Sequence, residues 1–269
     1  MTLFSPLEFK GHFTKFDEEW VASYGQYTIK TVFQPIWDKP LKRIYGYECL
    51  IRVSDAHGHT VSPLDFLGSF SDKTEAINVG VICAVLHIRN FAFSALAGKA
   101  FINIHPSMFT YVHSAPKAMG MIMNRIYSEG LTTSQVIWEI TEFRERDTSN
   151  FATGVETFKQ KGHLIAIDDY GQLDSNQSRV SLLKPDIVKI DRSLIREFCN
   201  KTNLEYLPNL IDQLNQKGIC VVLEGVETKQ EYDSIMHLPF TLVQGYYLGK
   251  PCSIKRPGMR TQLKEAALS

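Results

Sequence analysis

An excess of charge of either sign is missing from this 269-residue chain, which carries 29 basic and 29 acidic side chains. That argues against a broad polyanion-binding or membrane-binding surface, so an anionic ligand has to be gripped locally and no nucleic acid polymer is expected as a partner. Cysteine is sparse. Cys49, Cys83, Cys199, Cys220 and Cys252 are odd in number and include no C-x-x-C pair, which argues against a zinc knuckle or a disulfide framework and for a reducing, cytoplasmic setting. The opening M-T-L-F-S-P-L-E-F-K has no basic segment leading into a sustained apolar core, and the longest apolar stretch, near Val79 to Ile88, is too short to span a bilayer. No membrane insertion is therefore expected. Low-complexity segments and internal repeats are absent as well.

What is present is material for a large core. With 44% apolar residues, a chain of this length can bury roughly three quarters of its unfolded surface, and a (β/α) barrel needs about 250 residues. Runs rich in Val, Ile, Phe and Tyr predict strands at Thr31 to Trp37, Ile44 to Val53, Phe101 to His105, Val136 to Thr141, Leu164 to Tyr170, Asp186 to Ile190, Ile219 to Glu224 and Leu242 to Tyr247. Helical spacing lies between most of them, at Thr74 to Leu96, Ala115 to Glu129, Asn150 to Lys161, Arg192 to Lys217 and Gln230 to His237. The alternation argues a parallel sheet. Only D-K-P-L-K-R separates the first two runs, too little for a helical crossover, so they should pair as an antiparallel hairpin. The expectation is an α/β fold, a modified TIM-like (β/α)8 barrel with an antiparallel first strand. Its domain would span 27–255, with 1–26 an extension packed on or flanking it and 256–269 a tail.

Acidic or amide side chains recur late in these runs: Glu48, Asn103, Glu139, the adjacent Asp168 and Asp169, and Glu224. One such residue reads equally well as a helix cap or an ion-pair partner. Several at the ends of separate parallel strands converge on one mouth, where their charges repel unless a cation sits between them. Oxygen ligands of this kind suit hard divalent ions. Adjacent residues on a regular strand point to opposite faces, so the strand should end between Asp168 and Asp169 if both are to look into the mouth. Lys189 is a cation inside an apolar run and needs a carboxylate or a ligand phosphate. Asp191, two residues on, is a candidate partner, and a structural ion pair and a catalytic lysine stand as equal readings here.

Taken together, these segments resemble the EAL-domain family of cyclic di-GMP phosphodiesterases. The matching pieces are F-Q-P-I from Phe33, E-C-L-I-R from Glu48, I-N-I-H-P from Ile102, W-E-I-T-E from Trp138 and I-D-D-Y-G from Ile167. They continue with D-I-V-K-I-D from Asp186, L-E-G-V-E-T from Leu223 and Q-G-Y-Y-L-G-K-P from Gln244. The resemblance implies hydrolysis of cyclic di-GMP to linear pGpG with two Mg²⁺ or Mn²⁺ ions per site. By matching position, Glu48, Asn103, Glu139 and Asp168 would hold one ion, and Asp168 with Asp169 the second. Lys189 and Glu224 would orient or deprotonate the attacking water, with Gln244 nearby. Gln34, Leu50 and Arg52 would touch substrate, and Glu142 would hold the loop after Asp169. A homodimer, and a protein partner met through the surface or the N-terminal extension, belong to the same expectation.

Two departures stand out. Cys49 replaces the alanine of the family signature, a small-for-small change that should leave Glu48 in place. The loop from Asp169 to Asn176 reads D-Y-G-Q-L-D-S-N where the family usually shows D-F-G-T-G-Y-S-S, and Leu173 in place of glycine removes freedom for a positive φ. That loop bears on the second ion and on the dimer contact in the family. The competing reading, from a different class, is a catalytically weak or silent EAL protein that senses cyclic di-GMP or adapts to a protein partner.

Overall fold

The structure, a computed structural model, describes residues 11–140, 148–171 and 176–253. Its strands are β1 (Phe13–Phe16), β2 (Glu19–Tyr24), β3 (Tyr27–Asp38), β4 (Arg43–Ser54), β5 (Thr60–Val61), β6 (Lys99–Ile104), β7 (Val136–Ile140), β8 (Leu164–Tyr170), β9 (Ile187–Ile190), β10 (Cys220–Leu223) and β11 (Leu242–Val243). The order β3-β11-β10-β9-β8-β7-β6-β4, closed by a β3–β4 pairing, makes an eight-stranded barrel. β3 runs antiparallel to both of its neighbours, β4 and β11, and the remaining barrel strands are mutually parallel. The short link after β3 leaves no other arrangement, because a parallel neighbour needs a crossover of a dozen or more residues.

The helices are α1 (Pro63–Gly68), α2 (Lys73–Ser94), α3 (Ser107–Ser114), α4 (Pro116–Ser128), α5 (Thr148–Gln160), α6 (Asn176–Leu183), α7 (Arg192–Cys199), α8 (Tyr206–Gln216) and α9 (Lys229–Ile235). Where the sequence predicts one helix from Arg192 to Lys217, the structure has two. The ring of Pro208 cannot follow a continuous helix, since it would meet the carbonyl one turn back. The chain instead breaks at Lys201, where φ is +58°, and Pro208 falls in the tolerant first turn of α8.

α2 shows how the barrel is clad. Ile77, Ala84, Ile88 and Phe91 join the main core outside the barrel wall, while Val79, Ile82, Cys83, Val85 and Leu86 join a second cluster with Ile29, Ile51, Val53, Phe13 and Ala22. A helix buried on both sides has no polar stripe to keep. The 21 residues Thr74–Ser94 are long and apolar enough to cross a membrane by length and composition, with 56% of the window buried inside the protein.

Residues 13–24 extend the barrel sheet: β1 pairs with β2, and β2 with β3, both antiparallel. Asn90 of α2 fixes it, accepting from Trp20 N at 2.7 Å and donating to Trp20 O at 2.8 Å. Asn90 also donates to Thr31 Oγ1 at 3.3 Å, and that hydroxyl shares a hydrogen bond of 2.9 Å with Nδ1 of buried His87. Arg89 stacks 4.5 Å from the Trp20 ring and 4.8 Å from that of Phe13.

Candidate active site

Strand alternation builds the site. The barrel interior has an apolar floor of Ile36, Phe101, Ile137, Ala166, Ile187, Val222 and Leu242. Two residues along each strand the same face presents a polar group, because the side-chain period is two: Asn103 above Phe101, Glu139 above Ile137, Asp168 above Ala166, Lys189 above Ile187, Glu224 above Val222 and Gln244 above Leu242. On antiparallel β3 the order reverses, and Gln34 precedes Ile36. Gln34 lies directly across from Glu48 of β4. A dry base and a polar upper layer thus face the mouth at the C-terminal ends of the parallel strands, where barrels of this class place their chemistry.

Lys189 sits at the centre of that layer. Its Nζ is 2.7 Å from Glu139 Oε1, 2.8 Å from Glu224 Oε1, 3.0 Å from Asp168 Oδ1 and 3.8 Å from Glu48 Oε2. Burial works against its charge, but Asp168, Glu139, Glu224 and Glu48 together outweigh it and hold the ammonium well above the ordinary lysine range. Asp191 is not among these four acids. β9 ends at Ile190, and the Asp191 carboxylate turns to cap α7, accepting from Ser193 N at 2.8 Å.

The carboxylates outnumber this cation. Glu139 is fully buried, and burial, with Glu48 and Asp168 nearby, raises its pKa well above the usual carboxylate range despite Lys189. Glu224 is raised in the same way, by burial first and then by Asp168, Glu48 and Glu139. Asp169 is pushed to about 6 by burial and by Asp168. Asn103 Oδ1 and Glu139 Oε2 are buried without a hydrogen-bond partner, and Glu139 Oε1 and Asp168 Oδ1 meet Lys189 only as ion pairs. Unsatisfied buried oxygens are costly, and their gathering in one place calls for a ligand.

Two groups of acids have oxygens within 4.8 Å of one another: Glu48, Glu139 and Asp168, and then Asp168, Asp169 and Glu224. Asp168 belongs to both. The donors, carboxylates with one amide oxygen beside them, fit hard divalent cations. Asp169 joins by a route the sequence reading did not foresee. β8 continues through Asp169 to Tyr170 rather than ending after Asp168, but Asp169 takes φ +54° and the register with β9 shifts between Ile167 and Tyr170. The irregularity turns the second carboxylate toward the first, at a backbone cost typical of functional positions.

The surrounding residues lock this geometry. Gln244 Nε2 donates to Glu48 Oε2 at 2.6 Å, and Gln34 Nε2 donates to Gly249 O at 3.3 Å. Gly245 is bare of necessity, since a Cβ there would stand 2.0 Å from Val226 O. Glu48 lies in mid-strand, because β4 continues to Ser54 under its pairing with β3. Leu50 and Arg52 follow on the same face, Leu50 half-buried and Arg52 exposed with Nη1 on Ile51 O at 2.9 Å. They stand beyond the walls of the pocket of about 410 Å³ that opens over Glu48, Asp168, Lys189 and Glu224. That pocket has further walls in Arg192, Glu227 and Tyr246, which sequence reasoning did not single out. Glu142 and Leu173 lie outside the described residues.

Against known proteins, the family model described as EAL domain matches residues 21–251. The probable cyclic di-GMP phosphodiesterase PdeI of Escherichia coli (strain K12) is 27% identical over 224 residues, which is 82% of this chain and 28% of that protein. This chain spans between 28% and 44% of the length of the first such curated relatives. Among solved structures, a manganese/cy-diGMP complex of Klebsiella pneumoniae BlrP1 is 25% identical with a TM-score of 0.71, covering 83% of this chain and 56% of that one. A standalone EAL protein from Vibrio cholerae O395, in its c-di-GMP bound form, has the same fold with a TM-score of 0.76 at 24% identity, covering 87% and 96% of the two chains.

Proposed function

This chain belongs to the EAL domain family, and from that premise we propose that it is a phosphodiesterase hydrolysing cyclic di-GMP to linear pGpG by in-line attack of water, with two Mg²⁺ or Mn²⁺ ions at the barrel mouth. The observation that carries the reading is the shared Asp168, common to two acid groups beside bare buried oxygens of Asn103 and Glu139. Glu48, Asn103, Glu139 and Asp168 would hold one ion, and Asp168 with Asp169 would hold the other, beside Glu224. When bound, the ions would supply Lewis acidity to the phosphodiester and its attacking water.

The protein's own groups divide the remaining work. Lys189, ringed by four carboxylates that favour its charged form, would supply a positive charge to the phosphoryl oxygens or orient the attacking water. Glu224, a wall of the pocket 2.8 Å from Lys189, would orient the attacking water or take its proton. Gln244 orients Glu48 through its 2.6 Å hydrogen bond. Arg52, on the same face of β4 as Glu48, would meet a phosphate or ribose oxygen. The same reading includes a homodimer, for which sedimentation of the purified chain is the check.

The test is incubation with cyclic di-GMP and either cation, with the product identified by chromatography. Wild type should release pGpG, and folded Glu48→Ala should release none. Binding without product in the wild type would instead favour the sensor reading, which draws its support from the altered sequence between Asp169 and Asn176.

A further inference from the structure

Arg192, the first residue of α7, lines the same pocket as Glu224 and Gln244. Its aliphatic stem lies flat on bare backbone: a Cβ at Gly225, where φ is +69°, would stand 2.6 Å from Arg192 Cβ and 3.2 Å from its Cδ. One end of its guanidinium is tied, with Nη1 2.7 Å from Glu227 Oε1. The other edge is not. Nε and Nη2 are both buried with no hydrogen-bond partner, although the side chain as a whole is 32% exposed. Those two nitrogens form the side-on pair of parallel donors, the geometry that takes two acceptors at once.

The choice between an anion and a neutral acceptor pair turns on local charge. The pocket walls carry six acids, Glu48, Asp168, Asp169, Asp191, Glu224 and Glu227, against two bases, Lys189 and Arg192. Glu227 offsets part of the charge on Arg192, being shared with Arg196 at 3.8 Å, and the excess of acids around the pocket disfavours a further anion at the free edge. A neutral pair of acceptors suits it better, and the N7 and O6 atoms of guanine are such a pair, matched to arginine in bidentate fashion. Tyr246, in the same wall and 52% exposed, offers a ring face on which a base can lie.

We propose that Arg192 is a specificity-determining residue that reads the N7/O6 edge of one guanine of the substrate, with Glu227 and Gly225 fixing its guanidinium for that contact. The assignment rests on the cyclic di-GMP reading above. It adds a reason for guanine over adenine, whose amino group at the O6 position would face the arginine donors with a donor of its own.

The experiment compares wild type, Arg192→Met and Arg192→Lys on cyclic di-GMP, its 7-deazaguanine analogue and cyclic di-AMP, with the cation held constant. In the wild type, replacing N7 by carbon removes one of the two acceptors and should lower kcat/KM by roughly 2- to 12-fold, the square root of the factor for a whole bidentate contact. Arg192→Met removes both donors and should lose roughly 5- to 150-fold in kcat/KM on cyclic di-GMP, chiefly through KM. It should no longer separate cyclic di-GMP from the 7-deaza analogue, and should narrow the gap to cyclic di-AMP. Lysine keeps the charge and can still donate to N7 or O6 through its ammonium, so Arg192→Lys should fall between wild type and Arg192→Met in both comparisons. Equal losses in kcat on all three substrates, with the N7 preference intact, would overturn the assignment and leave Arg192 as a brace for the segment after Glu224. If the wild type binds cyclic di-GMP without cleaving it, dissociation constants for the same ligands judge this contact separately, because the hydrolytic reading alone would then have failed.

Discussion

Removing the cation at the centre of the mouth gives the clearest energetic consequence of this geometry. Lys189→Met keeps the length of the side chain in its fully buried slot and takes away the charge that lies within 3.0 Å of Glu139, Asp168 and Glu224. Breaking a buried ion pair by deleting one partner typically costs about 3–5 kcal/mol, because the other charge stays buried and alone. Three acids lose their partner here, but they need not all stay charged. Burial already raises the pKa of Glu139 and of Glu224, and Lys189 opposes that rise in both, so in the variant both rise further. A carboxyl group whose folded pKa lies above its unfolded value stabilises the fold below the unfolded pKa and loses that contribution as pH climbs through the folded one. Denaturant unfolding in EDTA should therefore show Lys189→Met about 3–5 kcal/mol less stable than wild type near pH 8, with the gap closing toward pH 5 as the acids take up protons. Mn²⁺ should close part of the gap at pH 8, since a bound cation replaces the missing charge. A gap below about 1 kcal/mol, or one equal at both pH values, would refute the electrostatic account of this layer.

Asp169→Gly should separate stability from activity. Glycine takes φ +54° without the Cβ penalty, and the change removes one of two crowded carboxylates, so cation-free stability should rise by about 1 kcal/mol while cyclic di-GMP turnover is lost; a stability loss would contradict the strain argument. His87 tests the polar network under the N-terminal hairpin. Burial lowers its pKa to about 3, so folding holds it neutral while the unfolded chain binds a proton below about 6.5, and stability falls as pH drops from 7 to 5. The difference in unfolding free energy between wild type and His87→Gln should shrink by about 2 kcal/mol over that interval, and a constant difference would mean that His87 stays wet or charged.

The sequence made the barrel legible because each parallel strand is an apolar run that ends in a polar residue, and because the short link between the first two runs forces a hairpin. The same pattern put Glu48, Asn103, Glu139, Asp168 and Glu224 on one layer, although Glu48 lies in the middle of β4 rather than at a strand end. Other features carried weaker signals. β1 and β2, F-T-K-F and E-W-V-A-S-Y, are short, and β1 has only Phe13 buried, so they lack a sustained alternation. α3 begins only two residues after β6 ends and reads as a loop continuing I-N-I-H-P. The partners of Lys189 were misjudged because strand periodicity proposes the nearest acid in sequence, Asp191, whereas barrel closure brings acids from four other segments to the same point. Arg192 and Glu227 escaped notice for a similar reason. They follow strands rather than ending them, and only the turn at Gly225 shows that one lies upon the other.

The two acid groups joined at Asp168 would hold a pair of divalent cations. Anomalous diffraction from crystals grown with Mn²⁺ tests it most directly: two manganese peaks should flank Asp168, one bounded by Glu48, Asn103 and Glu139 and the other by Asp169 and Glu224. No peak there, or peaks bound elsewhere on the surface with the barrel mouth empty, would contradict it.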